Sequence, residues 1–149
     1  MNFRPDEASV LLEGLGGLAV VVEDLDRPAL EAGLDADALR LHVAQRLTEA
    51  GITVAALDEL EDDPQIGILY VRVSTDLRGG FMAAGVDLQV CEAARLARDE
   101  DLAGGVVTWS TGGVRALDPG ILAAQVMDEV DDGVARLVYA IREASGNTN

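Results

Sequence analysis

The chain has 149 residues, and 27 of its charged side chains are Asp or Glu against 11 basic ones, all of them Arg. A net charge of −16 repels phosphate backbones and anionic membrane surfaces, which excludes nucleic acid as a partner. With no lysine there can be no phosphate-loop NTPase, no Schiff-base enzyme and no lysine general base.

Charge at this density costs self-repulsion that salt relieves, the pattern of proteins adapted to high salt. An all-arginine basic set fits a GC-rich genome equally well. The length is that of one domain, which buries roughly 68–70% of its extended-chain surface on folding. Apolar residues make up 49% of the chain but aromatics only 3%, so the core is expected to consist mainly of Ala, Val and Leu. The longest aliphatic run, Leu18 to Val22, falls far short of the ~20 residues a membrane span needs. Met1 to Glu13 has neither a basic start nor an apolar stretch, so no secretory signal is expected in it. Cys91 is the single cysteine, which rules out an internal disulfide; within a strand it reads as a small buried hydrophobe.

In chain order, residues 1–16 read as a flexible tail. Leu18–Val22 is a buried strand, ended by the acidic turn Glu23–Asp26 and Pro28. Asp35-Ala-Asp37 offers a helix N-cap, and Leu39, Val43, Leu47 and Ala50 line one face of the helix that follows. Gly51 supplies a left-handed stop, and Ile52–Val54 turns the chain back toward the sheet. Asp58–Asp63 reads as a solvated loop. Ile66–Thr75 alternates as a strand, with Leu69, Val71 and Val73 on one side and Tyr70 and Arg72 on the other. Gly79-Gly80 makes a hairpin turn into a strand over Phe81–Glu92, where Val86, Leu88 and Val90 oppose Asp87 and Gln89. Asp99–Gly105 is read as the next turn and Gly105–Val114 as a fourth strand, with Trp109 in the core. Asp118-Pro119 opens the last helix, whose stripe runs Leu122, Val126, Val130, Val134, Leu137 and Ile141. Gly133 interrupts that helix at a cost of about 1 kcal/mol against Ala, unless something packs closely there.

The expected fold is α+β: a two-layer sandwich in the order β-α-β-β-β-α, with two helices on one face of a mixed four-stranded sheet. One domain spans 17–144, and 145–149 forms a disordered tail.

The motifs supply little chemistry. Gly14-Leu-Gly16-Gly17 precedes a strand and lacks the last glycine, whereas a dinucleotide loop follows a strand and opens a helix. His42, the only histidine, sits beside a buried helical stripe. Ser74 and Ser110 lie inside strands and no Gly-x-Ser-x-Gly elbow exists, so His42 reads as structural. The acidic run lacks the alternate ligands, glycine and distal Glu of a calcium loop, and one His with one Cys makes no zinc site. Pairs of carboxylates carry no information when 27 are present. Catalytic residues, metal and cofactor are therefore expected to be absent. The working surface is placed on the sheet face away from the helices, with Tyr70, Arg72, Asp87, Gln89, Thr108 and Ser110, and Val21, Ile68 and Ala83 between them. Of these, Tyr70, Arg72, Gln89, Thr108 and Ser110 are the candidate partner surface, because Tyr and Arg are enriched where partners anchor.

Val21-Val-Glu-Asp-Leu25, the helix ending Ala50-Gly51-Ile52, Leu69-Tyr-Val71 and Thr108-Trp-Ser-Thr-Gly112 before a long terminal helix resemble a group of uncharacterised bacterial proteins. Members of that group usually carry a signal peptide and have no assigned activity. The element order is also similar to small envelope domains such as the amino-terminal domain of TolB. The resemblance implies a periplasmic or envelope location, with the cytoplasm as the alternative. The leading expectation is a non-enzymatic accessory domain that binds a protein partner, as monomer or homodimer. The alternative is a small hydrolase or ligand-binding protein that uses the polar sheet face.

Overall fold

The computed structural model describes residues 11–146; the first ten residues of the expected N-terminal tail and residues 147–149 lie outside it. The elements are β1 (Gly17–Val22), α1 (Arg27–Glu31), α2 (Ala36–Glu49), β2 (Ile66–Arg78), β3 (Phe81–Leu96), β4 (Asp99–Leu117) and α3 (Leu122–Ala144). The strands lie in the order β1-β2-β3-β4, with β1 parallel to β2 and both hairpins antiparallel. This is the mixed four-stranded α+β sheet expected from the alternation.

The two long helices cover one face. Leu39, Val43 and Leu47 of α2 and Leu122, Val126, Val130, Val134 and Leu137 of α3 join Leu18, Val20, Leu69, Val71, Val73, Val86, Leu88 and Val90 in one core. Gly133 has a packing role there. A Cβ at this position would lie 3.0 Å from Leu88 Cδ1, so the missing side chain lets α3 close onto β3. Gly79 and Gly80 take φ of 57° and 83°, the positive values a tight hairpin requires.

Several local readings change. Pro28 does more than end the strand: it sits in the first turn of α1, whose N-cap is Asp26. One Asp26 oxygen accepts from the Ala29 N–H at 3.2 Å and from the Thr75 hydroxyl at 2.7 Å, and the other accepts from the Thr75 N–H at 2.8 Å. Leu12, assigned to the tail by its sequence context, is 2% exposed and belongs to the core.

The expected turn Asp99–Gly105 is strand. β3 and β4 continue past the other strands as a two-stranded ribbon in which Ala93 pairs with Gly105, Ala94 with Gly104 and Arg95 with Ala103. Water reaches both sides of such a ribbon, so acids and glycines serve in it as they would in a loop. Trp109 lies on the helix side opposite Val90 but is only half-buried, because β4 is the sheet's edge strand. Cys91 is half-buried on the other side, since its neighbour Val90 takes the core position.

The β1 side is finished differently. The Leu18 N–H donates to the Thr53 carbonyl and the Ala55 N–H donates to the Leu18 carbonyl, both at 2.9 Å, so residues 53–55 pair briefly with β1. The 3-10 turn Leu57–Glu61, formed within the expected acidic loop, lies against β1 and β2. Ala19 points away from the helices yet is 1% exposed.

Candidate functional site

Strand register sorts the open face into rows. Ala19, Ile68, Cys91 and Val107 form the first, which is apolar across all four strands. Val21, Tyr70, Gln89 and Ser110 form the second, and Arg72, Asp87 and Gly112 continue the third from the Glu23 end of β1. The face thus passes from an apolar ridge, through a row of hydrogen-bonding side chains, to a charged row.

Tyr70, Gln89 and Ser110 therefore stand side by side, as the alternation implied, with Arg72 in the adjacent row. Thr108 does not join them. It is the extra residue where the register shifts between Val90 and Cys91, and its hydroxyl donates to the Glu92 carboxylate. Glu92 lies two residues beyond Val90, on the helix side, where its Cγ would sit 3.1 Å from a Cβ at Gly67. A one-residue bulge moves a side chain to the other face, and a regular alternation contains no sign of it.

Arg72 is already engaged. Its Nε donates to Glu23 Oε2, and its Nη2 donates to Glu23 Oε1 at 3.1 Å, a two-pronged pair on the exposed surface. Those hydrogen bonds hold the Glu23 carboxyl below the usual carboxylate range; they outweigh the opposing desolvation, and the Arg72 charge adds a lesser lowering. The same contact raises Arg72 further, with Asp87 contributing. Glu23, Cys91 and Val107 were missing from the sequence-derived working surface, which did include Asp87. Glu23 lies just beyond β1, so only the parallel register of β1 on β2 brings it to Arg72. Between Glu23, Tyr70, Arg72, Asp87 and Gln89 is a cleft of about 10 Å³, roughly the space of one water. Burial pushes the Cys91 thiol above its ordinary value, which disfavours the reactive thiolate.

His42 sits in the helix layer, where its Nε2 lies 2.7 Å from Asp131 Oδ1; Arg46 Nε reaches the same oxygen at 3.5 Å. This cluster joins α2 to α3. Ser74 and Ser110 project from the opposite side of the sheet, as their neighbours Val73 and Trp109 face the helices, so no serine–histidine pair forms. Among the described residues no group of three or more His, Cys, Asp or Glu side chains is placed to hold a metal. No described helix is long and apolar enough to cross a membrane.

The chain matches no protein-family model and no curated protein sequence. Among solved structures it is similar to a PelC dodecamer from Paraburkholderia phytofirmans, at 15% identity and a TM-score of 0.49, over 84% of this chain and 90% of that one. A likeness of this degree carries no functional argument.

Proposed function

We propose that this is a non-enzymatic accessory domain that binds a protein partner through the open face of its sheet. The carrying observation is the graded surface itself. The Ile68–Cys91–Val107 ridge borders Tyr70, Gln89 and Ser110, and Arg72 follows in the next row. An apolar strip beside donors and acceptors on rigid strands suits a protein surface, and Tyr and Arg are the residue types that anchor one. A cleft of about 10 Å³ suits a water better than a substrate. The bacterial envelope is the proposed setting, supported by the resemblance to exported bacterial proteins.

The test is capture of a partner from the native organism by the intact protein, repeated with Tyr70→Ala and Arg72→Ala. Each variant is expected to fold as the wild type does and to retain less of the same partner. Equal retention by both folded variants would remove the face from consideration. A folded His42→Gln protein that loses a measurable catalytic activity would overturn the non-enzymatic reading.

A further inference from the structure

We propose that the outer edge of β4 pairs, antiparallel, with the same edge of a second copy of this chain, joining two four-stranded sheets into one. This edge meets the open-face site proposed above only at Val107 and Ser110, and the proposal does not depend on that site.

The first observation is the edge itself. β4 runs for 19 residues at the end of the strand order, and Leu102, Val106, Val107 and Val114 on it are all exposed. An unpaired strand edge is a template for another strand, and proteins that need to stay single protect it with lysine, proline or inward-pointing charge. From Leu102 to Val114 this edge has none of these, and no other stretch of the chain runs as long without a charged residue. In a protein of net charge −16, an uncharged edge lets two copies meet at low electrostatic cost.

The second observation is the charge order along the strand. β4 begins Asp99-Glu100-Asp101 and carries its cation, Arg115, near the far end. A parallel copy would set three acids against three. An antiparallel copy sets each Arg115 beside the acidic start of its partner, twice over by two-fold symmetry.

The bulge makes the faces agree. A two-fold axis perpendicular to the sheet keeps both pairs of helices on one side, so residues brought opposite each other must already share a face. The register places Ala103, Gly105 and Val107 on the open face before Thr108, and Ser110, Gly112 and Val114 there after it. Val107 can then stand opposite Ser110 of the second copy, Gly105 opposite Gly112 and Ala103 opposite Val114. On the helix side, Val106 meets Thr111 and Gly104 meets Gly113. The same register brings Arg115 opposite Leu102, beside Glu100 and Asp101 of the second copy. In an unbulged strand these pairs would set opposite faces together.

The experiment is sedimentation of the full chain over a concentration series, with the emission of Trp109, the only tryptophan, followed in parallel. A monomer–dimer equilibrium is expected, with a blue shift on association, because half-buried Trp109 lies at the joining edge. Val106→Asp, which places a charge at an exposed edge position, should weaken association about tenfold or more. Arg115→Glu should weaken it similarly, and adding Glu100→Arg and Asp101→Arg to that variant should restore it. Because Arg115 also pairs with Glu129 at 2.7 Å, circular dichroism must show each variant folded, and Val106→Asp supplies an independent test. A monomer at every concentration, a dimer indifferent to Val106→Asp, or a charge reversal that fails to rescue would each overturn the proposal. Tyr70→Ala should leave the dimer unchanged while weakening capture of the other partner, so the two surfaces fail separately.

Discussion

β1 and β4 both end the same sheet, yet the chain ties one down and leaves the outer side of the other open. Beside β1 lie the short pairing of residues 53–55, the 3-10 turn Leu57–Glu61, the Asp26 contacts to Thr75 and the Glu23–Arg72 pair. β4 is held by its ladder to β3 and by contacts from α3, and most of its residues are exposed. The difference follows from connectivity. β1 enters β2 by a crossover long enough to fold back over its own edge, whereas β4 is entered by a tight hairpin and leaves at once into α3. An edge without local chain to cover it must be solvated or joined by another strand.

The contrast is broken most severely from within. Leu69→Ala, at a fully enclosed position of β2, should cost about 2–5 kcal/mol in urea unfolding, as a core cavity does. Leu102→Ala, 44% exposed on the ribbon of β4, should stay within about 0.5 kcal/mol. Similar losses from both would mean that the ribbon is part of the folding core. Asp26→Ala comes next, with an expected loss of about 2–3 kcal/mol. It removes a helix cap and leaves the Thr75 N–H and hydroxyl without their acceptor. Asn at the same position keeps an acceptor and should recover part of the loss; an Asn variant as unstable as the Ala one would show that the carboxylate charge, not its geometry, matters.

The two edges were not equally legible in the sequence. The central strands and both long helices could be read because Leu69, Val71 and Val73 alternate and Leu122 to Ile141 keep a helical spacing, and each pattern has one face to bury. α1 could not, since a five-residue helix has too few positions to show a period. The ribbon over Asp99–Gly105 was read as a turn because its strands bury neither face, so no apolar alternation marks them. Tyr70, Gln89 and Ser110 could be grouped in advance because period two assigns a side chain to a face. Thr108 was misplaced because a bulge breaks the count by one, and Glu23 was missed because only pairing between distant strands brings it to Arg72.

Gly133 tests how tightly the covered face is closed. Alanine favours a helix interior over glycine by about 1 kcal/mol, but its methyl would press on Leu88, which is 1% exposed and has little room to move. Overpacking costs typically 1–3 kcal/mol, so Gly133→Ala should be a net loss of about 1 kcal/mol. A stabilised variant would show that Leu88 repacks freely and that the contact between α3 and β3 is looser than its geometry suggests.

The smallest expected effect concerns the last tether on the β1 side, the exposed pair of Glu23 and Arg72. Arg72 lowers the Glu23 carboxyl in the folded chain, so the folded state binds its proton less readily than the unfolded state does. The pair's contribution is therefore present above the ordinary carboxylate value and disappears as pH falls through the lowered one. Arg72 keeps its charge throughout, so Glu23 alone sets the window. Glu23→Gln should be slightly less stable than wild type at neutral pH, and the gap should close in acid. The gap should also be absent when both proteins carry Arg72→Ala, which separates this pair from the repulsion among the other carboxylates. A gap that persists at acid pH, or that survives the loss of Arg72, would show that the pair is of little consequence in solution, as exposed ion pairs commonly are. Glu23 would then leave Arg72 free for a partner, and the β1 side would rest on Asp26, the 53–55 pairing and the 3-10 turn Leu57–Glu61.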